Sequence, residues 1–257
     1  MLRIGHKGAD AVVPGNTLES FAAAVNAGLD AIELDVLRPQ SDFAGDPDWR
    51  RADAGPAPAT GPLVVAHDWG DARRRDALAL EEVLDAFTRP PFDGIRFDLD
   101  LKIAGREDEV VAALTDRGLS SRAMVSTMEV GSLAYLRTAA PDLQRGWTLP
   151  KVSRDWSGNR WLRPVFLAGS ASLRARLPGV IRSRAPELGV WAVWIYHPLI
   201  TRRLVDAAHA AEVDVVAWTV DDAERVARLT ALGVDGICTN DPSLLTAPPP
   251  APDGVTG

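Results

Sequence analysis

The sequence predicts an α/β fold closed into a (β/α)8 barrel. Three observations lead there. Short β-like runs alternate with helical ones along the chain, the pattern of parallel strands joined by helical crossovers. Nine β-like runs can be read, and if the one ending at His67 is a return arm outside the ring, eight remain. The chain has 257 residues, and one barrel of this kind uses about 250. A doubly wound open sheet shares the alternation, and counting runs does not separate the two.

The elements follow in order. A first strand over Leu2–Gly5 ends at His6. A helix is predicted from Thr17 to Ala27, with Asn16 and Glu19 spaced as a capping box at its start. AIELDV at 31–36 alternates apolar and acidic residues, which marks a strand with two different faces. LVVA at 63–66 and IRFDLDL at 95–101 are the next β-like runs, with a helix over Leu80–Phe87 between them. Helix Glu107–Arg117, strand 123–127, helix Val130–Ala139 and strand 143–147 continue the alternation. Helix Ala171–Arg184 and strand 190–195 follow, then helix Thr201–Ala211 and strand 213–218. Helix Ala223–Leu232 and strand 234–239 complete the series. Arg38–Pro62 is rich in Pro, Gly, Ala and Asp without a clear period and reads as a long surface loop, and Lys151–Pro164 reads as another. No repeat or linker divides the chain, so a single barrel domain is expected over 1–246 with a flexible tail over 247–257.

Composition narrows the chemistry. Apolar residues make up 46% and charged residues 25%, ordinary for a globular protein. The net charge of −7 disfavours nucleic acid as a partner and requires local positive charge to hold an anionic substrate. Cys238 is the single cysteine, which excludes a cysteine-rich metal site. No run approaches the roughly 18 apolar residues of a membrane span. The opening MLRIGHKGAD lacks a secretion-signal layout, so a cytoplasmic location is expected. There is no phosphate-binding G-x-x-x-x-G-K-[ST] loop, no G-x-G-x-x-G after a strand and no G-x-S-x-G elbow.

Period two puts Glu33 and Asp35 on one face of their strand, opposite Ile32, Leu34 and Val36. Asp98, Asp100 and Lys102 share a face in the same way. Inward faces of barrel strands are mostly branched and apolar, and the C-terminal strand ends carry catalysis, so two such charged clusters read as a site rather than as solvated loop residues. His6 and His67 stand at strand ends and can move protons near neutral pH. His197, before Pro198, is a secondary candidate; His209 falls in a helical pattern and reads as a surface residue. An all-carboxylate donor set favours a hard divalent cation, Mg²⁺ or Ca²⁺, over zinc. A hard cation with two histidines and two lysines suits phosphoryl chemistry. Of the eight tryptophans, Trp191 and Trp194 read as packing residues, while Trp49, Trp156 and Trp161 in the long loops are expected to pin those loops to the barrel.

These residues together resemble the glycerophosphodiester phosphodiesterases. That family opens with H-R-G and P-E-N-T, similar to His6-Lys7-Gly8 and Pro14-Gly15-Asn16-Thr17. Its I-E-x-D-V strand resembles Ile32–Val36, its V-V-x-H-D resembles Val64–Asp68, and its E-x-K resembles Asp100-Leu101-Lys102. Its W-T-V and G-V-D-G-I-x-T-D resemble Trp218-Thr219-Val220 and Gly233–Asn240. The resemblance implies a phospholipase C-like barrel and a metal-dependent phosphodiesterase. It implies Glu33, Asp35 and Asp100 as metal ligands, His6 and His67 as general acid and base, Lys7 and Lys102 as phosphate contacts, and Trp218 as a substrate-site wall. The implied substrate is a small glycerophosphodiester, attacked by its own 2-hydroxyl and released through a cyclic phosphate.

The departures are specific. Lys7 stands for Arg, Gly15 for Glu and Asp100 for Glu, with Asp98 placed to compensate. The loop at 38–62 is longer than the family's turn, and the family's insertion after the His-Asp pair is missing, so Trp69–Ala79 is expected to run almost directly into a helix. Two alternatives follow: a phospholipase D-like lyase that stops at the cyclic phosphate, since the D-x-K arrangement also resembles sphingomyelinase D barrels, and a barrel that binds a phosphodiester without turnover.

Overall fold

The computed structural model describes residues 1–38, 61–151 and 163–246. Most of the two predicted loops, the predicted tail, and Trp49, Trp156 and Trp161 lie outside the described residues. Eight parallel strands form the ring: β1 (Leu2–Gly5), β2 (Ala31–Leu37), β4 (Arg96–Leu101), β5 (Ala123–Thr127), β6 (Gln144–Leu149), β7 (Ala192–Tyr196), β8 (Asp214–Trp218) and β9 (Gly236–Thr239). Each pairs with the next in that order, and the ring closes where β1 lies parallel to both β2 and β9. This closure decides against the open sheet. The arm predicted to end at His67 is β3 (Val64–Val65), which pairs antiparallel with the end of β2 and stands outside the ring.

Helices cover the outside. They are α1 (Leu18–Asn26), α3 (Leu80–Phe87), α4 (Glu107–Asp116), α5 (Val130–Ala139), α6 (Arg163–Leu188), α7 (Arg202–His209) and α8 (Ala223–Leu232), with a short α9 (Ser243–Thr246). Local chemistry sets their ends. Thr17, Thr201 and Asp222 accept hydrogen bonds from backbone N–H groups of the first turns of α1, α7 and α8, and Gly233 ends α8 in the left-handed region.

Three expectations are corrected. The cap of α1 is Thr17, not Asn16, whose φ of +59° and side chain serve another purpose described below. A separate helix, α2 (Trp69–Arg75), occupies the stretch expected to lead straight into α3. The helix read as Ala171–Arg184 is longer, α6, and takes in Arg163 and Pro164 from the predicted loop.

The outward strand faces and the inner helix faces form two continuous apolar layers. Phe21 of α1, Phe87 of α3 and Phe97 of β4 meet there, with ring centroids 5.7 and 4.8 Å from Phe87. Inside the ring a smaller cluster, Ile4, Ala31, Met124, Ala192, Trp194, Val216 and Cys238, fills the barrel below the site. Trp194 fits because Gly146 faces it; a Cβ at 146 would fall 2.5 Å from the indole nitrogen. Among the described residues no helix is long and apolar enough to cross a membrane.

Candidate active site

The inward faces of β2 and β4 carry charge where barrel strands ordinarily carry apolar side chains. The parallel register sets Glu33 beside Asp98 and Asp35 beside Asp100, so four buried carboxyls form a two-by-two array. Oxygens of Glu33, Asp35 and Asp100 all lie within 4.8 Å of one another and could hold a metal ion. At that spacing, an effective dielectric of about 20 makes each charged pair repel by about 3.5 kcal/mol. The Lys102 ammonium, just past β4, offsets part of this: it lies 2.5 Å from Asp35 Oδ1 and 2.5 Å from Asp100 Oδ2. The Asp35 contact is an ion pair without a well-aligned hydrogen bond, so Oδ1 keeps coordinating capacity.

The electrostatics record the shortage of positive charge. Burial, with Asp35 beside it, pushes the Glu33 carboxyl well above the usual carboxylate range. Burial also raises Asp100, against the pull of Lys102. Asp98 is pushed up to about 8 by burial, although Ser126 donates to its Oδ2 at 2.6 Å. Asp35 moves the other way: burial opposes its charge, but Lys102, His67 and Lys7 hold it well below the usual range. Lys102 is itself raised, because Asp100, Asp35 and Glu33 outweigh its burial. Oxygen-only donors and an excess of buried negative charge fit a hard divalent cation.

The loop from His6 to Thr17 folds over this array. Lys7 has a φ of +51°, and its backbone N–H donates to Glu33 Oε2 at 2.8 Å. That bond needs only a main chain, so the Lys-for-Arg departure leaves it intact. Gly8, at φ +91°, lies so close to α1 that a Cβ would stand 2.6 Å from the Ser20 carbonyl carbon. Asn16 is the link between loop and site. Its Nδ2 donates to Asp35 Oδ2 at 2.8 Å while its Oδ1 accepts from the Asp35 backbone at 3.1 Å. Gly15 donates to Asp10 Oδ1 at 2.6 Å, and a Cβ there would lie 2.6 Å from Lys7 Cβ and 2.7 Å from that same oxygen. The Asp10 carboxylate thus occupies the space that a larger residue at 15 would need.

His67 reaches the site from β3 and α2. Its backbone N–H donates to Asp71 Oδ2 at 3.2 Å, and its Nδ1 lies 3.2 Å from Asp68 Oδ2. Asp68 is also the N-cap of α2. Arg75 fastens this element. It grips both Asp71 oxygens at 2.6 Å and donates to the Gly15 and Asn16 carbonyls at 3.1 and 3.3 Å. Between His67 and the loop lies a cleft of about 240 Å³, bordered by Lys7, Asp10, Asn16, His67 and Arg74 among others.

The opposite rim comes from β7, β8 and β9. Trp218 ends β8, half-buried, its ring 5.6 Å from Tyr196; it does not line the cleft, so cleft and tryptophan stand on different sides of the array. His6 is half-buried; its desolvation, with the nearby Lys7 charge, lowers it to about 4, and its Nε2 is 4.0 Å from Glu33 Oε2. Its Nδ1 lies 2.7 Å from Asn240 Oδ1, and Asn240 in turn meets Asp221. His197 opens a 3₁₀ turn after β7, packed on Tyr196, with no hydrogen bond to Nδ1 among the described residues. His209 is half-exposed on α7 against Asp235.

The structure therefore gathers His6, Lys7, Glu33, Asp35, Asp100 and Lys102 at one end of the barrel, with His67 across the cleft. Sequence reading missed Asp10, Asn16 as a clamp on Asp35, Asp71, Arg75, Asp221 and Asn240 as a partner of His6. Asn16, Arg75, Asp221 and Asn240 work through contacts to residues far along the chain, and Asp10 and Asp71 through loop and helix contacts three to five residues away, none of which an apolar pattern records.

Comparisons with known proteins bear on the family and the fold. The model of the glycerophosphoryl diester phosphodiesterase family matches residues 6–38 and 89–244. Those segments hold the residues just named except His67, Asp71 and Arg75, which lie between them. The chain is 26% identical over 93% of its length to an Arabidopsis thaliana glycerophosphodiester phosphodiesterase, GDPD4, covering 70% of that protein. It is also 26% identical to a glycerophosphodiester phosphodiesterase of Caldanaerobacter subterraneus, over 95% of this chain and 96% of the relative. Among solved structures, a candidate glycerophosphodiester phosphodiesterase of Galdieria sulphuraria superposes with a TM-score of 0.69 at 20% identity, covering 95% of this chain and 96% of that one.

Proposed function

The chain belongs to the glycerophosphoryl diester phosphodiesterase family, and from that membership we propose that it is a metal-dependent phosphodiesterase cleaving glycerophosphodiesters to glycerol phosphate and an alcohol. The observation that carries the reading is the convergence of Glu33, Asp35 and Asp100 within 4.8 Å, with half-buried His6 4.0 Å from Glu33. Those three carboxylates would hold the divalent cation, Mg²⁺ or Ca²⁺, which supplies Lewis-acid stabilisation of phosphate charge when bound.

The chain's own groups account for the proton movements. His6 is neutral at pH 7, because burial lowers it to about 4, and takes the proton from the glycerol 2-hydroxyl as that oxygen bonds to phosphorus. His67, held through Nδ1 by Asp68, gives a proton to the departing alcohol oxygen as its bond to phosphorus breaks. A cyclic phosphate results. Water then opens it with the histidine roles reversed, and the product is glycerol phosphate. Lys7, at the cleft edge, offers positive charge to the phosphate, and Lys102 keeps Asp35 and Asp100 in place beneath it. Trp218 walls the far side of the array.

A second reading, a lyase that ends at the cyclic phosphate, keeps one support: Asp100 stands where the hydrolases have Glu. The deciding experiment feeds glycerophosphocholine and glycerophosphoethanolamine to metal-stripped protein, adds back Mg²⁺, Ca²⁺ or Mn²⁺, and follows phosphorus NMR. The expected result is metal-dependent glycerol phosphate, with Asp100→Ala needing at least roughly tenfold more metal for half activity. Persistent cyclic phosphate would establish the lyase. No turnover with any metal, in protein that binds one, would leave a binding role.

A further inference from the structure

We infer that Asn240 is a positioning residue: its carboxamide, fixed by Asp221, holds His6 with the ring proton on Nδ1 and presents a bare Nε2 to the carboxylate array. The inference rests on the proposed role of His6 in moving protons and adds what sets its tautomer. A carboxamide can in principle face either way, because its oxygen and nitrogen have similar shapes. Here the choice is forced. Asp221 Oδ2 lies 2.6 Å from Asn240 Nδ2, and a carboxylate only accepts, so the nitrogen must face Asp221 and the oxygen must face His6. Asp221 cannot turn away, since its Oδ1 accepts from the Asn240 backbone N–H at 2.8 Å and from Thr239 Oγ1 at 3.0 Å.

Asn240 Oδ1, 2.7 Å from His6 Nδ1, can only accept as well. The neutral imidazole therefore carries its hydrogen on Nδ1. Nε2 is left as the acceptor, 4.0 Å from Glu33 Oε2. The backbone reinforces the placement, because His6 N–H donates to the Thr239 carbonyl at 2.8 Å, so ring and main chain of His6 are both tied to the end of β9. The same geometry explains why an amide stands at position 240. A carboxylate there would also accept from His6, but it would face the Asp221 carboxylate at hydrogen-bond distance and the two would repel.

This makes an exchange test possible. Imidazole ¹⁵N NMR of metal-free protein reads the tautomer directly and needs no turnover; His6→Gln assigns the signals. The wild type should show His6 with a protonated Nδ1 and an unprotonated Nε2. Asn240→Ala should lose that pattern and lower kcat roughly ten- to a hundredfold, as loss of an orienting partner does, with KM for glycerophosphocholine little changed. N240D alone should also fail. The paired exchange D221N/N240D should recover most of both, since an amide at 221 can donate to a carboxylate at 240 and still accept from Thr239. An unchanged His6 tautomer in Asn240→Ala, or a paired exchange no better than N240D in protein that melts like wild type, would overturn the inference. Absence of phosphodiester turnover in the wild type would instead overturn the proposed function, and the NMR would still decide the tautomer.

Discussion

Gly15 shows how a single residue is read differently in sequence and in space. Against the P-E-N-T pattern it looks like a lost site carboxylate. In the fold a carboxylate is present, but it comes from Asp10, whose Oδ1 accepts the Gly15 N–H and stands 2.7 Å from where a Cβ would be. Glycine is what permits this approach. Gly15→Ala would drive a methyl group to 2.6 Å from Lys7 Cβ, and neither atom can rotate away because both are fixed to main chain. The loop must open, and the first contact it loosens is the Lys7 N–H bond to Glu33. Expected outcomes are a stability loss of about 1–3 kcal/mol, typical of overpacking, and a fall in kcat/KM of roughly tenfold, about 1.4 kcal/mol of transition-state stabilisation. Urea unfolding and steady-state kinetics on glycerophosphocholine check the two separately. Native values for both would show that the Asp10 contact is dispensable.

At the scale of elements, the strands were legible and the small helix beside the site was not, for a physical reason. A barrel strand alternates its faces, so AIELDV and RFDLDL announce two faces and place Glu33, Asp35, Asp98 and Asp100 together on the inner one. WGDARRR has no apolar stripe to announce α2. That helix is held by the Asp68 cap and by Arg75, whose guanidinium joins Asp71 to the carbonyls of Gly15 and Asn16, about sixty residues earlier in the chain. Asn16 misled for the same reason: Asn-x-x-Glu satisfies a capping pattern, yet its side chain is spent on Asp35. Arg75→Ala would leave the half-buried Asp71 carboxylate without its guanidinium and the Gly15, Asn16 and Val65 carbonyls without that donor. The expected cost is about 1–3 kcal/mol, concentrated at residues 64–79, where amide exchange should accelerate more than in the barrel strands. Because Asp71 also accepts the His67 N–H, kcat should fall with the metal requirement unchanged. Arg75→Lys should recover little, since a point charge cannot reproduce the fork. Uniform acceleration across the barrel would mean that Arg75 stabilises the fold as a whole.

For the whole molecule, the two ends of the barrel divide the work. The C-terminal strand ends carry buried like charges that oppose folding, so stability must come from the apolar layers and from how the ring is closed at its other end. Closure falls on β1, only four residues long and paired with β2 at Ile4–Ala31 and Gly5–Ile32. Below those pairs Arg3 and Asp30 form a clasp. The Arg3 backbone N–H and guanidinium both donate to Asp30, at 2.9, 3.0 and 2.7 Å, and the Asp30 N–H returns a bond to the Arg3 carbonyl at 2.9 Å. The Arg3 hydrogen bonds hold the Asp30 carboxyl below its usual range. A carboxyl depressed in the folded state binds fewer protons there than when unfolded. Its contribution is therefore complete above the unfolded value of 3.8 and fades as pH falls through the folded one. Both side chains are about one-third exposed, which limits the contribution to about 1 kcal/mol. Asp30→Asn should thus unfold at lower urea than wild type at pH 6, by about that amount. The gap should narrow below pH 4 as the wild-type carboxyl takes up its proton. A gap that stayed constant down to pH 3 would mean that the loss comes from changed side-chain hydrogen bonding to Arg3, with the charge contributing nothing to ring closure.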